Sequence, residues 1–457
     1  MPFTGTASAA SLTLPVPVPS LGTARPAAPP APPATAAPAE EHPVSATLAA
    51  NEALAARRLR GQPVLPLAFG EAGLPAHPAL REALAAATAS NGYGPVAGSE
   101  ELRAAAAGYW QRRGLATDPD SVVCGPGSKP LIFGLLLATG ADVIVPRPSW
   151  VSYAAQASLV GARPHFVPAA PGEGGICDPA ALGPAVAAAR AAGRDIRSVV
   201  VTLPDNPTGR VPRPETVRAF CAAAAEHDLI IISDEIYRDL IHSPATPVLS
   251  PAAVAPGRTV VTTALSKSLA LGGWRIGVAR LPEGPLGERL RGELVGIGSE
   301  IWSAPAAPIQ QAAALAFSEP ASLCERVAAS RRLHATVARR VAAILAAAGA
   351  DVPDPQAAFY VYPDFEPWRA HLARRHGVST GAGLAGLLLE RYGAGTLPGS
   401  AFGESARCLR LRIATGALYG ESDEEQEAAL AAPDPLALPW IAGQLDRLAE
   451  ILADLAP

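Results

Sequence analysis

Lysine is nearly absent from this chain of 457 residues. Lysine and arginine together number 37, and only Lys129 and Lys267 are lysines. Because arginine stays protonated whereas a lysine amine can lose its proton and attack a carbonyl, either lysine could be kept for covalent chemistry. A coding bias that replaces lysine by arginine would leave the same two residues, so composition alone does not separate these explanations.

Other absences exclude several classes of protein. The five cysteines are scattered, odd in number and lack CxxC spacing, which predicts reduced thiols and neither a disulfide framework nor a metal site. No apolar run is long enough for a membrane span, and the N-terminus lacks the basic segment of a secretory signal. A net charge of −4 predicts no broad nucleic-acid-binding surface. We therefore expect a cytoplasmic protein that binds neither membranes nor nucleic acids.

The chain divides by composition into a tail and three further segments. Residues 1–42 are a low-complexity mixture of Pro, Ala, Ser and Thr, which predicts a disordered tail. This composition favours a dispensable extension over an interaction segment. Residues 43–75 are predicted to form an N-terminal helix and arm of the smaller domain, with Ser45 as the helix cap and Leu48, Leu54 and Leu59 on one side.

Residues 76–320 show strands and helices in alternation. The β-branched apolar runs near residues 200, 230 and 260 are typical of parallel strands that are covered on both faces. The pattern predicts an α/β domain with a seven-stranded, mainly parallel sheet and helices on both faces. The candidate strands are 122–124, 142–145, 164–167, 198–203, 229–233, 259–265 and 275–279. Residues 321–457 are predicted to form a smaller α+β domain, with a long helix at 322–349, short strands near 359–362 and 409–414, and a closing helix at 438–455.

Four of the predicted strands end in polar residues. Ligands of such sheets bind at the carboxyl ends of the strands, so these residues should meet at one edge. They are Gly127, Ser128 and Lys129 after the first strand, Asn206 after the fourth, Asp234 and Tyr237 after the fifth, and Ser266 and Lys267 after the sixth. Pyridoxal phosphate is a pyridine that carries an aldehyde and a phosphate. The predicted edge offers what this cofactor needs: an amine, an acid, hydroxyl and amide donors, and a Gly-Ser loop for the phosphate. Arg275 can add a guanidinium to the phosphate.

In these motifs the chain resembles the class I/II aminotransferases of the fold-type I, pyridoxal-phosphate-dependent superfamily. The resemblance extends from about residue 67 to the C-terminus and leaves out the tail. It is carried by NGYGPVAG at 91–98, PRPSWVSY at 146–153, DNPTG at 205–209, SDEIY at 233–237, SK at 266–267 with GWRIG at 273–277, LPGSAFG at 397–403 and LRLR at 409–412. Several of these motifs are weak alone, but their order along the chain is specific.

The resemblance implies a role for each residue that binds the cofactor. Lys267 would form the Schiff base and then move a proton between the substrate Cα and the cofactor C4′. Asp234 would pair with the pyridine nitrogen, while Asn206 and Tyr237 would donate to the ring O3′. The phosphate would be held by Gly127, Ser128, the Lys129 backbone N–H, Ser266 and Arg275, and by Tyr93 of the partner in a homodimer. Trp150 would stack on the ring; a helix cap for Asp234 and core positions for Tyr237 and Trp150 remain structural alternatives.

Substrate recognition is where the sequence departs from the family. The resemblance assigns the substrate α-carboxylate to Arg410 and the Gly70 backbone; Arg412 lies on the same strand face, and a register slip would exchange the two. Ala264 stands where many relatives have serine. Ser299 stands where dicarboxylate-specific relatives place an arginine, which argues against aspartate recognition through that residue. The adjacent Glu300 either favours a polar or cationic side chain or is solvated.

The sequence thus predicts an aminotransferase with a ping-pong cycle, in which an amino acid leaves as a 2-oxo acid and a second 2-oxo acid takes up the amine. A pyridoxal-phosphate-dependent lyase, synthase or oxidase is the alternative, because it would use the same cofactor residues. A regulator with an aminotransferase-like domain would need a basic DNA-binding module, and residues 1–42 contain only one arginine.

Overall fold

The helices and strands described below come from a computed structural model, which describes residues 45–457. The helices are α1 (Ala46–Leu59), α2 (Pro78–Ala86), α3 (Glu100–Gln111), α4 (Ser128–Thr139), α5 (Val151–Leu159), α6 (Pro179–Ala191), α7 (Pro214–Glu226), α8 (Pro251–Val254), α9 (Leu265–Ser268), α10 (Pro285–Ile301), α11 (Ala307–Ser318), α12 (Ala321–Ala347), α13 (Arg369–His376), α14 (Gly381–Leu387), α15 (Asp423–Ala431) and α16 (Pro439–Leu455). The strands are β1 (Leu65–Pro66), β2 (Val122–Gly125), β3 (Asp142–Arg147), β4 (Pro164–Pro168), β5 (Ile196–Thr202), β6 (Ile230–Asp234), β7 (Thr259–Ala264), β8 (Gly277–Arg280), β9 (Tyr360–Val361), β10 (Ala394–Gly395), β11 (Leu397–Pro398) and β12 (Leu411–Ala414). The predicted tail, residues 1–42, lies outside the described residues.

All seven predicted strands join one sheet, in the order β2-β8-β7-β6-β5-β3-β4. The pairs from β7 through β4 are parallel, and β8 runs antiparallel to both of its neighbours. The prediction of a seven-stranded, mainly parallel sheet is therefore confirmed. Strand β8 begins later than predicted, at Gly277, because Arg275 adopts a left-handed backbone conformation with φ 55°.

Helices cover both faces of this sheet. Successive residues of a strand point to opposite faces: Val200 of β5 and Ile232 of β6 pack with α4, α5 and α10, whereas Val199 and Ile231 pack with α6 and α7. Because both faces are buried, the runs near residues 200, 230 and 260 are rich in β-branched apolar residues, as the sequence indicated.

The C-terminal part has its own core. Strands β11, β12 and β9 form a small antiparallel sheet, which packs with α12 and α16. Strand β1 pairs in parallel with β10, and Leu65 and Leu67 lie in this same core. The N-terminal arm thus packs with the C-terminal elements; the exact domain limits at residues 76 and 321 stay predictions.

Helix α1 begins where predicted but packs differently. Ser45 is its N-cap, with the Leu48 N–H donating to Ser45 Oγ at 3.4 Å. Only Leu54 is buried, whereas Leu48 is 44% exposed and Leu59 is 90% exposed. At about 100° per residue, positions 48 and 59 lie roughly 120° and 140° around the helix from position 54, so the three leucines do not share a face.

Among residues 45–457, no helix combines the length and apolarity that crossing a membrane requires.

Candidate active site

The carboxyl ends of the parallel strands open into a pocket of about 520 Å³. Because β5, β6 and β7 run in the same direction, the segments that follow them meet at this edge, as expected. The pocket gathers most of the residues proposed from the sequence: Gly70, Ser128, Lys129, Trp150, Asn206, Asp234, Tyr237, Ser266, Lys267 and Arg275. Gly127 lies beside it, next to Ser128.

Asp234, the last residue of β6, presents a buried carboxylate at the floor of the pocket. The Tyr153 hydroxyl donates to its Oδ2 at 2.8 Å, and the Thr262 hydroxyl lies 3.4 Å from its Oδ1. Burial raises the pKa of this carboxyl to about 6, against the opposing effect of the Tyr153 hydrogen bond. Asp234 is therefore ionised at neutral pH and is suited to pair with a buried cationic N–H.

Lys267 follows β7 within the short helix α9. Its Nζ donates to the Gly70 carbonyl oxygen at 2.5 Å. Burial lowers the pKa of this amine to about 8, partly opposed by the negative charge of Glu71. A substantial fraction of the amine is therefore neutral near pH 8, and a neutral amine is the nucleophilic form.

Three polar side chains line the pocket beside Asp234. The Asn206 Nδ2 lies 3.4 Å from the Tyr237 hydroxyl, which shares a 2.8 Å hydrogen bond with the Tyr360 hydroxyl. Asn206 and Tyr237 are each 3% exposed. The side chains predicted to donate to the same ring oxygen are therefore adjacent.

The phosphate end is formed by the start of α4 and by Arg275. Gly127 has a φ of +100°, and a Cβ there would lie 2.5 Å from Arg275 Nη2. A Cβ on Gly277 would lie 2.5 Å from the Ser128 backbone nitrogen. Because neither glycine has a Cβ, the Arg275 guanidinium can approach the backbone at Gly127, and the backbone at Gly277 can approach the start of α4. At the N-terminus of this helix, free N–H groups and the helix dipole favour an anion.

Lys129 contributes a side chain as well as a backbone N–H to the pocket. Its Nζ lies 5.1 Å from the centroid of the Trp150 ring, and Trp150 packs edge-on against Tyr153. The pKa of the Lys129 amine is lowered, first by burial and then by the nearby Arg275 charge. The resemblance to the family had given most weight to its backbone N–H.

Arg410, which the sequence analysis assigned to the substrate carboxylate, does not line the pocket in this structure. Its Nε donates to Asp364 Oδ2 at 2.9 Å and its Nη1 to Glu404 Oε1 at 2.6 Å. The side chain is 43% exposed. These two carboxylates satisfy the guanidinium and hold it outside the pocket.

Arg412 takes the place expected for Arg410. It lines the pocket and is 1% exposed. Its Nη2 donates to the Ala68 carbonyl oxygen, its Nη1 lies 3.4 Å from Asn206 Oδ1, and its Nε has no partner among the described residues. No carboxylate within residues 45–457 forms an ion pair with it, although buried charges are ordinarily paired. This guanidinium is therefore available to an anionic ligand.

Three further residues singled out from the sequence lie outside this pocket. Tyr93 is 94% exposed. Ser299 and Glu300 are exposed near the end of α10, where the Ser299 hydroxyl donates to Glu300 Oε1 at 2.8 Å. Within the described chain, Glu300 therefore does not contribute to the pocket.

The sequence analysis missed several pocket residues. Tyr153 lies in a quoted motif, and its position three residues after Trp150 at the start of α5 placed both on one helix face. Tyr360 on β9 carried no comparable signal. Ser45, Thr47 and Leu48 also line the pocket, so the start of α1 forms part of its wall.

The residues present fit pyridoxal phosphate. Asp234 offers a buried anion for the ring nitrogen, and Asn206 and Tyr237 offer donors beside it. The Gly127–Arg275 approach leaves a backbone and guanidinium cradle at the other end of the pocket. A buried amine completes the set.

Comparisons with known proteins agree with this site. The family "Aminotransferase class I and II" matches residues 63–420. A probable aspartate/prephenate aminotransferase from Thermus aquaticus is 30% identical over 81% of this chain and 92% of its own length. An aspartate aminotransferase from Geobacillus stearothermophilus is also 30% identical, with the same coverage of both chains.

Solved structures show the same fold. Aspartate aminotransferase from Thermus thermophilus with maleate superposes with a TM-score of 0.75 at 28% identity, covering 90% of this chain and 97% of the other. An aminotransferase from Mycobacterium tuberculosis gives a TM-score of 0.73 at 25% identity, with the same coverage. The chain belongs to the class I and II aminotransferases of fold-type I. It is a pyridoxal-phosphate-dependent transaminase.

Proposed function

We propose that this transaminase works by a ping-pong cycle in which Lys267 both attaches the cofactor and carries the proton. The observation that supports this most strongly is the meeting, in one pocket, of the Lys267 amine, the buried Asp234 carboxylate and the unpaired Arg412 guanidinium. None of these three groups forms an ion pair with a residue in the described range 45–457, and a cofactor with its substrate would supply a partner for each.

When bound, pyridoxal phosphate supplies an aldehyde for imine formation and a ring that withdraws electrons from the substrate Cα. Asp234 would hold the proton on the ring nitrogen, since its carboxylate is ionised above about pH 6. Ser128, Ser266 and Arg275 would bind the phosphate. Lys267 Nζ, displaced by the substrate amine, would accept the proton from the substrate Cα.

Arg412 would receive the substrate α-carboxylate. Three of the five guanidinium N–H groups make no hydrogen bond to a described residue, and a carboxylate can accept two of them in parallel. The negative charge of such a carboxylate would also compensate the desolvation that lowers the pKa of Arg412. The Gly70 backbone lies beside this position.

Borohydride reduction of the holoenzyme tests the attachment. Peptide mapping should find the pyridoxyl group on Lys267; a label on Lys129 would contradict the proposal, and Lys129→Gln is the matched control. Adding an amino donor alone should bleach the visible band of the holoenzyme and release a 2-oxo acid. Release of ammonia or peroxide in place of the 2-oxo acid would favour the lyase or oxidase alternative.

The donor is proposed to carry an acidic side chain. The curated relatives include aspartate aminotransferases. Of the cations in the pocket, Lys267, Arg275 and Arg412 have the roles above, which leaves the Lys129 ammonium for a distal carboxylate. Lys129→Gln should raise KM for aspartate by about tenfold and leave neutral donors within about twofold. An unchanged preference for aspartate, or a best donor with a neutral or basic side chain, would contradict this choice.

A homodimer is proposed to complete the site. Tyr93, which the resemblance places at the partner's phosphate, is 94% exposed, so its side chain can contact a partner chain. Tyr93 would then reach the partner's phosphate. Light scattering should give twice the chain mass, and Tyr93→Phe should weaken phosphate-dependent cofactor binding about tenfold. A monomer with full cofactor affinity would contradict this proposal; a cytoplasmic location stays a prediction.

A further inference from the structure

A second cavity, of about 420 Å³, shares two chain segments with the active site. The segment from β7 into α9 presents Ser266 and Lys267 to the active-site pocket, and Leu265 and Ser268 to the second cavity. The segment after β6 likewise presents Tyr237 to the active site and the two following residues to the cavity. A molecule in this cavity would therefore touch the backbone that carries Lys267.

The acidic residues of this cavity are already neutralised. Arg113 Nη2 donates to Asp239 Oδ1 at 2.7 Å and to Glu319 Oε1 at 2.6 Å. Glu319 also accepts from Arg112 Nε at 2.6 Å. The guanidinium of Arg113 is thus occupied by two carboxylates, and these leave no free negative charge in the cavity wall.

Two other arginines retain free donors. The Arg238 side chain donates from Nη1 to Glu235 Oε2 at 2.6 Å, and its other N–H groups make no hydrogen bond to a residue of the described range. Arg331, half-exposed on α12, forms no ion pair with any residue in the described range. Because Arg238 is paired with Glu235, the excess positive charge of the cavity wall comes from Arg331, while both arginines offer N–H donors.

The rest of the wall combines hydroxyl groups with apolar surface. Thr263 and Ser268 are 5% and 8% exposed, and neither hydroxyl has a hydrogen-bond partner among residues 45–457. Both residues line the cavity, so their hydroxyl groups can form hydrogen bonds with a molecule bound there. The apolar part of the wall comes from the aromatic Phe317 of α11 and from aliphatic residues of α11 and α12 such as Leu323.

We propose that this cavity is a regulatory site for a small organic acid with one carboxylate and an apolar body. Arg331 receives the carboxylate, the hydroxyls of Thr263 and Ser268 bind the polar end, and the apolar body packs against Phe317. The ligand contacts residues that precede Lys267 in the chain and Ser268, which follows it. Its binding therefore changes the position of the Lys267 amine and hence the catalytic rate.

Calorimetric titration of the pyridoxal-phosphate-loaded protein with 3-phenylpropanoate tests the site. This acid lacks the amino and 2-oxo groups of a transamination substrate. Arg331→Gln should weaken its binding by about tenfold or more, since a hydrogen bond to a charged group is lost. Ala328→Phe, which fills the cavity from half-exposed α12, should abolish binding. Arg332→Gln is the matched control, because Arg332 is the next residue but lies outside this cavity.

Binding must persist when the active site is saturated with substrate, and it must change kcat or the pH midpoint of the visible band. Absence of binding at millimolar acid overturns the proposal. So does binding that substrate displaces and that Arg331→Gln and Ala328→Phe leave unchanged, because the acid then occupies the active site. Binding with kcat and the visible band both unaltered overturns the regulatory role.

Discussion

Replacing Arg412 by glutamine should disable substrate recognition, whereas the same change at Arg410 should not. Arg412 is buried in the pocket and lacks an anionic partner among the described residues. Arg410 is 43% exposed and is already paired with Asp364 and Glu404. The two residues are separated by one position in sequence, so the variants form a close pair that differs mainly in location.

The expected magnitude follows from the hydrogen bonds that each change removes. A bidentate pair with the substrate carboxylate comprises two charge-assisted bonds of about 1.5–3 kcal/mol each. Their loss in Arg412→Gln should lower kcat/KM by roughly 10² to 10⁴-fold. Arg410→Gln removes two partly exposed ion pairs, each contributing about 0–1 kcal/mol to stability, and should change kcat/KM by less than about threefold.

Steady-state kinetics with an amino acid and with the corresponding amine, which lacks the carboxylate, separates recognition from folding. The wild type should prefer the amino acid strongly. Arg412→Gln should lose most of that preference while the rate with the amine stays nearly constant. Both holoenzymes should keep the visible band, which controls for cofactor loss.

The reasoning would be refuted if Arg410→Gln lost the preference and Arg412→Gln retained it. That result would mean that the ion pairs of Arg410 open in the working enzyme and that the motif assigns the residue correctly. Equal, small losses in both variants would show that neither arginine binds the substrate carboxylate.

Three further predictions concern the cofactor and the fold. Only the neutral amine of Lys267 attacks the aldehyde, and the pKa of this amine is about 8. The rate of holoenzyme formation, measured by stopped-flow absorbance, should therefore rise about tenfold per pH unit below pH 8 and level off above it. A rate that continues to rise up to pH 10 would contradict the lowered pKa. Asp234→Asn, which removes the charge beside the ring nitrogen, should lower kcat by about 10²–10³-fold while the cofactor still binds, and a loss below fivefold would contradict its role. Leu54→Ala should lower the free energy of unfolding by about 2–5 kcal/mol, because Leu54 is buried. The control Leu59→Ala should lower it by less than about 0.5 kcal/mol, because Leu59 is exposed. Urea titrations that show equal losses in the two variants would contradict the packing of α1.

Much of the fold could be predicted because its signals are local. The central strands β5, β6 and β7 contain β-branched apolar runs, and the polar residues that follow β6 and β7 are adjacent to those runs in sequence. Asp234 and Lys267 were therefore placed at one sheet edge without any tertiary information. Helix α1 was less predictable, since three leucines suggested a face that only Leu54 occupies.

The choice between Arg410 and Arg412 could not be made in the same way. Both lie on one strand face because side chains alternate with a period of two, and the motif favours the first. What separates them is Asp364 and Glu404, which pair with Arg410 from a neighbouring segment and a loop. Neither carboxylate is identifiable as a partner from sequence, so this assignment depends on tertiary contacts.

The pocket as a whole contains polar groups that the protein alone does not satisfy. Burial raises the pKa of Asp234, lowers that of Lys267 and lowers that of Arg412, so the surrounding protein disfavours each charged form. A cofactor ring nitrogen, an aldehyde and a substrate carboxylate would each compensate one of these groups. The free energy that folding leaves uncompensated here is then recovered on binding, which favours ligands that carry all three features in the spacing of the pocket.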